Sequence, residues 1–522
     1  MIEANGARVK GALYGATVFL TAGGALVLEI VAGRLLAPYV GMSLYTWSSI
    51  IAVVLTGLTV GHWVGGRLAG SAPNAATATR RVALALGLAA LNCLGLVPLL
   101  RLSSGPLLSS TLSPLVSILL LSAVLFFFPS LFCGVVSPVL TKLAMELRPE
   151  AAGPVLGRMF ALGAAGSIAG TLLTGFVLVA WVGSIATVLG VAVLYAVLAT
   201  VLAILAGRPR TGVAGAVGGA LLLALGSAGG AFATHCTEES NYYCLRVVDF
   251  SPASGTPSAA LIIDHLVHSI NDQADPTLLY SPYMHFIDEK LRADREGTPT
   301  GEPFAAFFIG GGGYTLPRAW QQDFPQAELY VAELDPQVTL LAMERLWLRP
   351  RENLHIAHAD ARAELQRLPR EPRFDVVFGD AFHDLTIPQH LVTREFQLEV
   401  RARLKPGGVY AINVVETLYQ PHFLMSLLKT LAQDFKSVEV WVDSDSANKM
   451  GRASVSVIAS DMPSPAGKLV ASRGIARSWL RWSPERIALR ILEPGLTVLT
   501  DDYAPVERLM AHLILSRDAD LR

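Results

Sequence analysis

Apolar residues are so unevenly distributed along the chain that its two parts predict different structures. The first part contains seven long apolar stretches, at residues 12–32, 46–66, 82–100, 113–136, 159–181, 184–206 and 213–233. A helix of about 20 residues satisfies its own backbone hydrogen bonds across a hydrocarbon core of about 30 Å. The pattern therefore predicts an N-terminal α-helical transmembrane bundle of about seven spans. The first stretch is followed by another span, so it is expected to be retained rather than removed as a signal peptide.

Small and ionisable residues within these stretches predict how the helices pack. Small residues are frequent, as in residues 163–170, and favour close approach of helix backbones. Glu29 and His62 are ionisable groups in apolar surroundings, and Arg34 is the nearest candidate partner of Glu29. Two interpretations remain open, a structural ion pair that anchors the first two helices and a polar pathway for a small cation.

The second part begins with short strand-like segments and continues with alternating strands and helices. A small β-element is predicted at residues 245–250 and 261–263, followed by a helix through 276–291. Apolar runs then alternate with helix-like stretches, at residues 304–309, 328–334, 354–357, 374–378 and 409–414. This alternation predicts a Rossmann-like α/β domain with a mostly parallel sheet, whose ligand lies beyond the C-terminal ends of the strands.

Three regions follow from these patterns. We predict a transmembrane helical domain over residues 1–235, a juxtamembrane β-element and helix over 236–303, and a nucleotide-binding domain over 304–522.

Composition and charge support this division and exclude several classes of protein. Hydrophobic residues make up 52% of the chain and charged residues 16%, which is too apolar for a wholly soluble enzyme or a disordered chain. Residues 1–235 contain 12 basic and 4 acidic residues, and the remainder contains 29 basic and 38 acidic residues. No basic tract is interleaved with aromatic residues, so nucleic acid is not an expected partner.

The positions of the basic residues and cysteines bear on which side of the membrane the second part occupies. Ten basic residues lie at the N-terminus and in the loops after the second, fourth and sixth spans, against two on the opposite side. This bias predicts a cytoplasmic N-terminus and an extracytoplasmic second part. Cys93 and Cys133 are expected to be buried packing residues, whereas Cys236 and Cys244 form either an extracytoplasmic disulfide or two reduced thiols.

Glycines and acidic residues follow four of the predicted strands. Gly310, Gly311, Gly312 and Gly313 come after the first strand and allow close approach of a ligand to backbone N–H groups. Glu333 ends the second strand, where a carboxylate can accept both hydroxyls of a ribose. Further acidic residues follow at the third and fourth strand ends: Asp360, Asp380 and Asp384. Each alone is explained by helix capping, but acids at successive strand ends indicate a binding site.

Several long motifs resemble bacterial membrane proteins that fuse multiple spans to a spermidine synthase-like domain. In the first part these are EIVAGRLLAPY at 29–39, TW at 46–47 and GGRLA at 65–69. In the second part they are IGGGGYT at 309–315, VAELD at 331–335, DAFHDLTIPQHLVTREF at 380–396, LKPGG at 404–408 and TDDYAPVE at 500–507. The resemblance implies the spermidine synthase branch of the class I methyltransferase fold, with the small β-element preceding it.

The resemblance also implies a role for each site residue. The donor would be S-adenosylmethionine or its decarboxylated form, and no metal is expected. The residues implied in donor binding are Gly310, Gly311, Gly312, Gly313, Tyr314, Glu333, Asp335, Asp360 and Ala361, with Glu333 on the ribose and Asp360 on the adenine amine. The implied catalytic residues are Asp380, which receives the amine and helps remove its proton, and Asp384. The implied substrate-binding residues are Asp264, His268, Tyr280 and Tyr283.

The sequence departs from the family at positions that bear on substrate choice. Gly313 stands where spermidine synthases carry an Asp associated with the free amine of the decarboxylated donor, and His268 stands where they carry a Gln. Asp384 lies four residues after Asp380, whereas the family spacing is three. A polyamine acceptor is therefore one expectation among several.

Three classes of function remain open. The first is an enzyme that transfers an aminopropyl group to an amine such as putrescine or cleaves S-adenosylmethionine, in both cases releasing methylthioadenosine. The second is a transporter or sensor whose second part binds an adenosyl ligand, and the third is a methyltransferase for a membrane-delivered substrate. The expected location is the bacterial inner membrane. The side that the second part occupies stays open, because the basic residues favour an extracytoplasmic position whereas the implied ligand, which is made in the cytosol, favours a cytoplasmic one. The expected partners are the lipid bilayer and a small amine or none, with a homodimer as an alternative to a single chain.

Overall fold

The structure is a computed structural model that describes residues 2–296, 302–383, 385–446 and 451–515. Contacts between Cα atoms divide the chain into two compact units, Met1–Tyr243 and Cys244–Arg522. The division falls a few residues after the 235/236 boundary that the sequence predicts.

The described part of the first unit contains seven helices that are long and apolar enough to cross a membrane, in agreement with the seven apolar stretches. They are α1 (Ile2–Val40), α2 (Leu44–Gly70), α3 (Ala75–Ser109), α4 (Pro114–Glu146), α5 (Ala152–Leu173), α6 (Ser184–Leu205) and α7 (Pro209–Ala228). A 3₁₀ turn at Pro149–Ala151 precedes α5, and a π-helical segment at Thr174–Val182 extends it. A short strand, β1 (Glu238–Glu239), follows α7.

Glycines allow the backbones of two helix pairs to approach closely. A Cβ atom on Gly166 or Gly170 of α5 would lie 2.0 Å from Phe19 O or 2.3 Å from Gly23 O of α1. A Cβ on Gly61 of α2 would lie 2.1 Å from Leu131 O of α4. These distances are too short for any side chain, so the predicted role of the small residues around 163–170 in helix packing is confirmed.

Arg34, the candidate partner of Glu29, does not pair with it. The Arg34 guanidinium instead lies 3.8 Å from Glu239 Oε1 and donates a hydrogen bond to Ser240 O. The difference arises because Arg34 is near the end of α1, where it reaches the polar segment after α7 more easily than it reaches back along its own helix. Among the described residues Glu29 has no ion-pair partner, and His62 is exposed on α2.

The four cysteines fall into two groups. Cys93 and Cys133 are free and buried, as the sequence predicts. Cys236 and Cys244 are disulfide-bonded, which excludes the alternative of two reduced thiols.

The second unit begins with an antiparallel β-element and a helix. Its members are β2 (Cys244–Asp249), α8 (Ser251–Ser254), β3 (Ser258–Ile263), β4 (Leu266–Asp272) and α9 (Pro282–Asp294). Strand β3 pairs with β2 on one side and β4 on the other. Asp264 lies in the turn between β3 and β4 with φ +53°, a left-handed conformation that Asp adopts more readily than most residues.

A large sheet with helices between its strands follows. Its elements are β5 (Ala305–Ile309), α10 (Thr315–Asp323), β6 (Glu328–Ala332), α11 (Pro336–Arg345), β7 (Leu354–Ala357), α12 (Ala361–Arg367), β8 (Phe374–Gly379), α13 (Arg394–Arg401), β9 (Leu404–Thr417), α14 (His422–Leu431), β10 (Ser437–Asp443), β11 (Arg452–Ser460), β12 (Lys468–Val470), β13 (Ser478–Arg481), α15 (Pro484–Arg490), α16 (Val506–Leu509) and α17 (Ala511–Leu515). A 3₁₀ turn at Gln389–Leu391 precedes α13.

Strand order confirms the Rossmann-like methyltransferase fold expected for this part of the chain. The order in the described sheet is β12-β13-β10-β11-β9-β8-β5-β6-β7. Strands β5 to β9 are parallel in the doubly wound order β7-β6-β5-β8-β9, and β11 is antiparallel to both β9 and β10. Ile309 is in register with Ala332 and Gly379, so the C-terminal ends of β6, β5 and β8 form one edge.

Candidate active site

Polar residues follow β5, β6, β7 and β8 at this edge of the sheet. The strand ladder continues one residue further, because Gly310 N donates to Ala332 O and Asp380 N donates to Ile309 O. A Cβ on Gly310 would lie 2.9 Å from Asp380 O, so the loop after β5 needs glycine to lie against the end of β8. The fold thus brings the glycine loop, Glu333 and Asp380 to adjacent positions, as the sequence predicts for neighbouring parallel strands.

Glu333 anchors the glycine loop. Its Oε2 accepts hydrogen bonds from Gly311 N at 2.8 Å and Gly312 N at 3.2 Å, and its Oε1 accepts from Asp335 N at 2.9 Å. Burial raises the pKa of this carboxyl above its usual value, although the three N–H groups oppose the shift. A carboxylate has about four acceptor positions, so about one remains for a ligand hydroxyl.

Tyr314 closes the loop with an unusual backbone conformation. Its φ of +54° is left-handed, and its buried hydroxyl lies 2.7 Å from Thr339 Oγ1. The same Thr339 hydroxyl lies 3.0 Å from His358 Nε2. Burial raises the pKa of Tyr314, so the phenol remains protonated and supports the loop through α11.

Asp335 and Asp360 each cap a helix. Asp335 is buried at the start of α11, and its Oδ1 accepts from Gln337 N at 3.0 Å. Asp360 Oδ1 accepts from Ala363 N at 3.0 Å at the start of α12, where Ala361 is buried. Both side chains therefore have structural roles that are independent of a ligand.

Asp360 also has a second partner. Its Oδ2 lies 2.7 Å from His390 Nε2, in the 3₁₀ turn before α13. Burial alone would raise the pKa of Asp360, but hydrogen bonds from Ala363 and His390 hold it below the usual value. A contact with an adenine amine would therefore share an oxygen that His390 or the helix N-terminus already uses.

Asp380 is the acid whose surroundings differ most from those of a helix cap. Its Oδ1 accepts from Asn413 Nδ2 at 2.9 Å, and its Oδ2 accepts from Tyr283 OH at 3.1 Å. Burial raises its pKa to about 7, even though both hydrogen bonds favour the ionised form. The result is a carboxylate with a proton affinity suited to exchange near neutral pH.

The two side chains that contact Asp380 have different origins in the chain. Tyr283 lies in the first turn of α9, and burial beside Asp380 raises its pKa, so its hydroxyl stays a donor. Asn413 is buried on β9, and its Oδ1 has no hydrogen-bond partner among the described residues. The prediction did not include Asn413; the available signal was a lone amide within the apolar run at 409–414.

The other predicted substrate-binding residues lie on the β-element and the segment after it. Asp264 Oδ1 accepts from Cys244 N at 2.9 Å and holds the turn between β3 and β4. Tyr280 OH lies 3.2 Å from Asp272 Oδ2, away from any contact with Asp380 in the described structure. His268 is on β4, and Tyr283 OH lies 3.5 Å from its carbonyl oxygen. Burial lowers the pKa of His268 to about 4, so its imidazole is neutral.

Ser269 occupies the space that a side chain at position 313 would need. A Cβ on Gly313 would lie 2.0 Å from Ser269 Oγ and 2.7 Å from Ser269 Cβ. The neighbouring Asn271 Nδ2 donates to Gly313 O at 2.7 Å, and Thr315 Oγ1 donates to Asn271 Oδ1 at 2.7 Å. Strand β4 therefore packs directly on the glycine loop, and Gly313 is required by this packing.

Two further predictions concern a second catalytic acid and the absence of a metal. Asp384, predicted as the second catalytic acid, lies outside the described residues. Within the described ranges no group of three or more His, Cys, Asp or Glu residues could hold a metal ion.

Comparisons with known proteins relate part of the chain to polyamine aminopropyltransferases. No family model matches the chain. A polyamine aminopropyltransferase of Vibrio vulnificus (strain CMCP6) is 32% identical over 117 residues, which is 22% of this chain and 39% of that protein. A probable polyamine aminopropyl transferase of Bifidobacterium longum (strain NCC 2705) is 28% identical over 226 residues, which is 40% of this chain and 50% of that protein.

Solved structures include a probable spermidine synthase from Corynebacterium glutamicum ATCC 13032. It is 20% identical with a TM-score of 0.43, and the match covers 51% of this chain and 95% of that chain. The chain spans half or less of the length of the two curated relatives above.

Proposed function

We propose that this chain is a membrane-bound enzyme that transfers an aminopropyl group from decarboxylated S-adenosylmethionine to an amine. The observation that carries the proposal is Asp380, held by Tyr283 and Asn413 beside the glycine loop with a pKa of about 7. The aminopropyltransferase names of the curated relatives support it.

In this reaction the amine nitrogen attacks the aminopropyl carbon that is attached to the sulfonium. A C–N bond forms, the C–S bond breaks, and its electron pair stays on the sulfur of the departing methylthioadenosine. The amine must be neutral to attack, and Asp380 accepts the proton that it loses. Because the sulfonium loses its charge, the protein's main contribution is to hold the two reactants in line.

Donor binding is proposed at the glycine loop and the two neighbouring strand ends. Glu333 would accept one ribose hydroxyl while it keeps the N–H groups of Gly311 and Gly312 in place. Asp360 and Ala361 at the start of α12 would lie at the adenine end. Tyr283 serves as a positioning residue, since it orients the Asp380 carboxylate.

Cleavage of full S-adenosylmethionine is a second candidate, and Gly313 favours it. A carboxylate at position 313 would conflict with Ser269, so no acid at this position can bind a free amine on the donor. In the cleavage reaction the donor's own carboxylate attacks its γ carbon, and homoserine lactone and methylthioadenosine form without an acceptor amine.

We further propose that the seven helices of the first unit span the bacterial cell membrane and that the second unit is extracytoplasmic. The helices have the required length and apolar composition. The basic residues favour a cytoplasmic N-terminus, and the disulfide-bonded state of Cys236 and Cys244 is typical of an oxidising compartment. The membrane unit would then have to admit the donor, which is made in the cytosol.

Product analysis of the purified full-length chain in nanodiscs tests the enzymatic proposal. Decarboxylated S-adenosylmethionine with putrescine should yield methylthioadenosine and an aminopropylated amine in equal amounts. Methylthioadenosine from S-adenosylmethionine without an amine would assign the cleavage reaction instead. S-adenosylhomocysteine would indicate a methyltransferase, and binding without turnover would indicate a sensor or transporter; either result would overturn the proposal.

A further inference from the structure

A long open groove lies between α3, α6 and α7 of the first unit. Its volume is about 740 Å³. Three arginines line one end, Arg80 and Arg81 from α3 and Arg208 just before α7, and mostly apolar and small residues line the rest. The groove therefore has a charged end and an apolar body.

Four of the five glycines that line the groove do not serve helix packing; the fifth, Gly212 of α7, packs on α6, where its Cβ would lie 3.1 Å from Thr200 O. A Cβ added to Gly87 of α3, or to Gly215, Gly218 or Gly219 of α7, would meet no atom within 4 Å. By contrast, a Cβ on Gly61 of α2 would lie 2.1 Å from a backbone oxygen of α4. These four glycines thus leave open space along the helices, whereas Gly61 allows two helices to pack closely.

The length of the groove fits a single lipid chain. Its lining residues on α3 extend from Thr77 to Leu94, and those in and just before α7 extend from Arg208 to Leu222. At 1.5 Å per residue these stretches are about 26 Å and about 21 Å long. Half of a hydrocarbon core of about 30 Å is about 15 Å, so the groove is deep enough for an acyl chain of one leaflet.

Charge favours an anionic headgroup at the arginine end. None of the described residues that line the groove is acidic. Arg80 and Arg208 are exposed, whereas Arg81 already donates to Leu68 O and Ser71 Oγ. Two arginines are therefore available to a phosphate, and a third adds positive potential nearby.

We propose that this groove binds one anionic phospholipid, with an acyl chain along the glycines of α3 and α7 and its phosphate at Arg80, Arg81 and Arg208. The inference rests on the proposal that the first unit spans a bilayer, and it is independent of the proposed enzymatic activity. Basic pockets between membrane helices recognise lipid headgroups in this way.

Native mass spectrometry of the delipidated full-length protein tests the proposal with two lipids that have identical acyl chains, phosphatidylglycerol and phosphatidylcholine. Phosphatidylglycerol should bind at least tenfold more tightly. The double substitution Arg80→Gln with Arg208→Gln should weaken phosphatidylglycerol binding by about 25-fold, about fivefold for each arginine. Phosphatidylcholine binding should weaken by a smaller factor, because the choline cation offsets the charge of the phosphate that both lipids carry. Arg158→Gln is the matched control, because Arg158 is an exposed basic residue that does not line the groove.

A groove-filling variant tests the position of the acyl chain. Gly218→Leu places a side chain in open space, so it should preserve folding, measured by melting temperature, and weaken binding of both lipids. Inorganic phosphate at millimolar concentration should not displace phosphatidylglycerol, because it lacks the chain. Four outcomes would each overturn the proposal. The two lipids could bind with equal affinity, or Arg158→Gln could weaken phosphatidylglycerol binding as much as the double substitution does. Phosphate could displace phosphatidylglycerol, or crosslinking could show that the protein self-associates through α7.

Discussion

Replacement of Asp380 by Asn tests whether this carboxylate acts in catalysis or only supports the structure. The amide oxygen can accept from Asn413 as Oδ1 does, and the amide nitrogen can donate to the Tyr283 oxygen where Oδ2 now accepts. Both contacts are kept while the negative charge and the basic site are lost. If Asp380 accepts the proton of the amine, turnover should fall by about 10² to 10⁴, with nucleoside binding largely unchanged.

The same substitution should stabilise the protein at high pH. The pKa of Asp380 rises from 3.8 to about 7 in the fold because burial disfavours the ionised form. At about 1.4 kcal/mol per pKa unit, ionisation at this position costs about 4 kcal/mol, and less where residual solvent screens the charge. An acid with a raised pKa contributes stability below its unfolded pKa and loses it as pH rises to the folded pKa.

The stability of the native protein should therefore fall relative to that of the Asn variant as the pH rises. Between pH 5 and pH 8 the advantage of the Asn variant should grow by about 2 kcal/mol, which is about 4 to 8 °C in melting temperature for a unit of this size. Intrinsic fluorescence of the full chain in detergent measures this difference in melting temperature.

Tyr283→Phe provides a second test of the pKa of Asp380. Loss of the Tyr283 hydrogen bond should raise this pKa further, so the rising limb of the plot of rate against pH should shift to higher pH.

Two outcomes would refute this reasoning. Full activity in the Asp380→Asn protein would remove the residue from the proton transfer. A constant difference in melting temperature between pH 5 and pH 8 would show that the carboxyl does not have a raised pKa, and its role as a base near neutral pH would lose its physical basis.

Three further experiments test the site and the topology. Glu333→Gln should weaken calorimetric binding of methylthioadenosine by about 10-fold, because its NH₂ group cannot accept a backbone N–H bond; unchanged affinity would remove Glu333 from the site. Gly313→Ala should lower the melting temperature, and Ser269→Gly in the same chain should restore it, since only the pair conflicts; purely additive effects would contradict this. Cys236 and Cys244 should resist maleimide in cells until a reductant is added, and an alkaline phosphatase reporter fused after residue 522 should be active. Immediate labelling or an inactive reporter would instead place the second unit in the cytoplasm.

Much of the fold could be predicted because hydrophobic patterns depend on local periodicity. The seven apolar helices and the run of parallel strands follow from the length and spacing of apolar residues. Strands β1, β4 and β10 to β13 and the full length of β9 were not predicted. Helix α9 starts at Pro282, later than the predicted 276, because Pro is favoured in a first helical turn and the preceding residues form other contacts.

The site was predicted less completely because its contacts join distant parts of the chain. Acids at successive strand ends could be identified from spacing, since parallel strands bring their ends together. The partners of those acids could not: Tyr283 and Asn413 reach Asp380 from 97 and 33 residues away. His390 reaches Asp360 in the same way, across 30 residues.

The consequence of Gly313 for the site depends on the residues that pack against it. In the sequence it is only a missing acid within a glycine motif, which leaves the donor undefined. In the fold Ser269 of β4 occupies the space beside it, so an acid at 313 would require a second change on another element. Under the proposed function, a change in selectivity between the full and the decarboxylated donor through an acid at 313 would therefore require a change at Ser269 as well. Gly313 provides no charge that would favour an amine over a carboxylate on the donor. If the proposed function holds, the contacts of the substrate with Asp380 would then decide between aminopropyl transfer and cleavage.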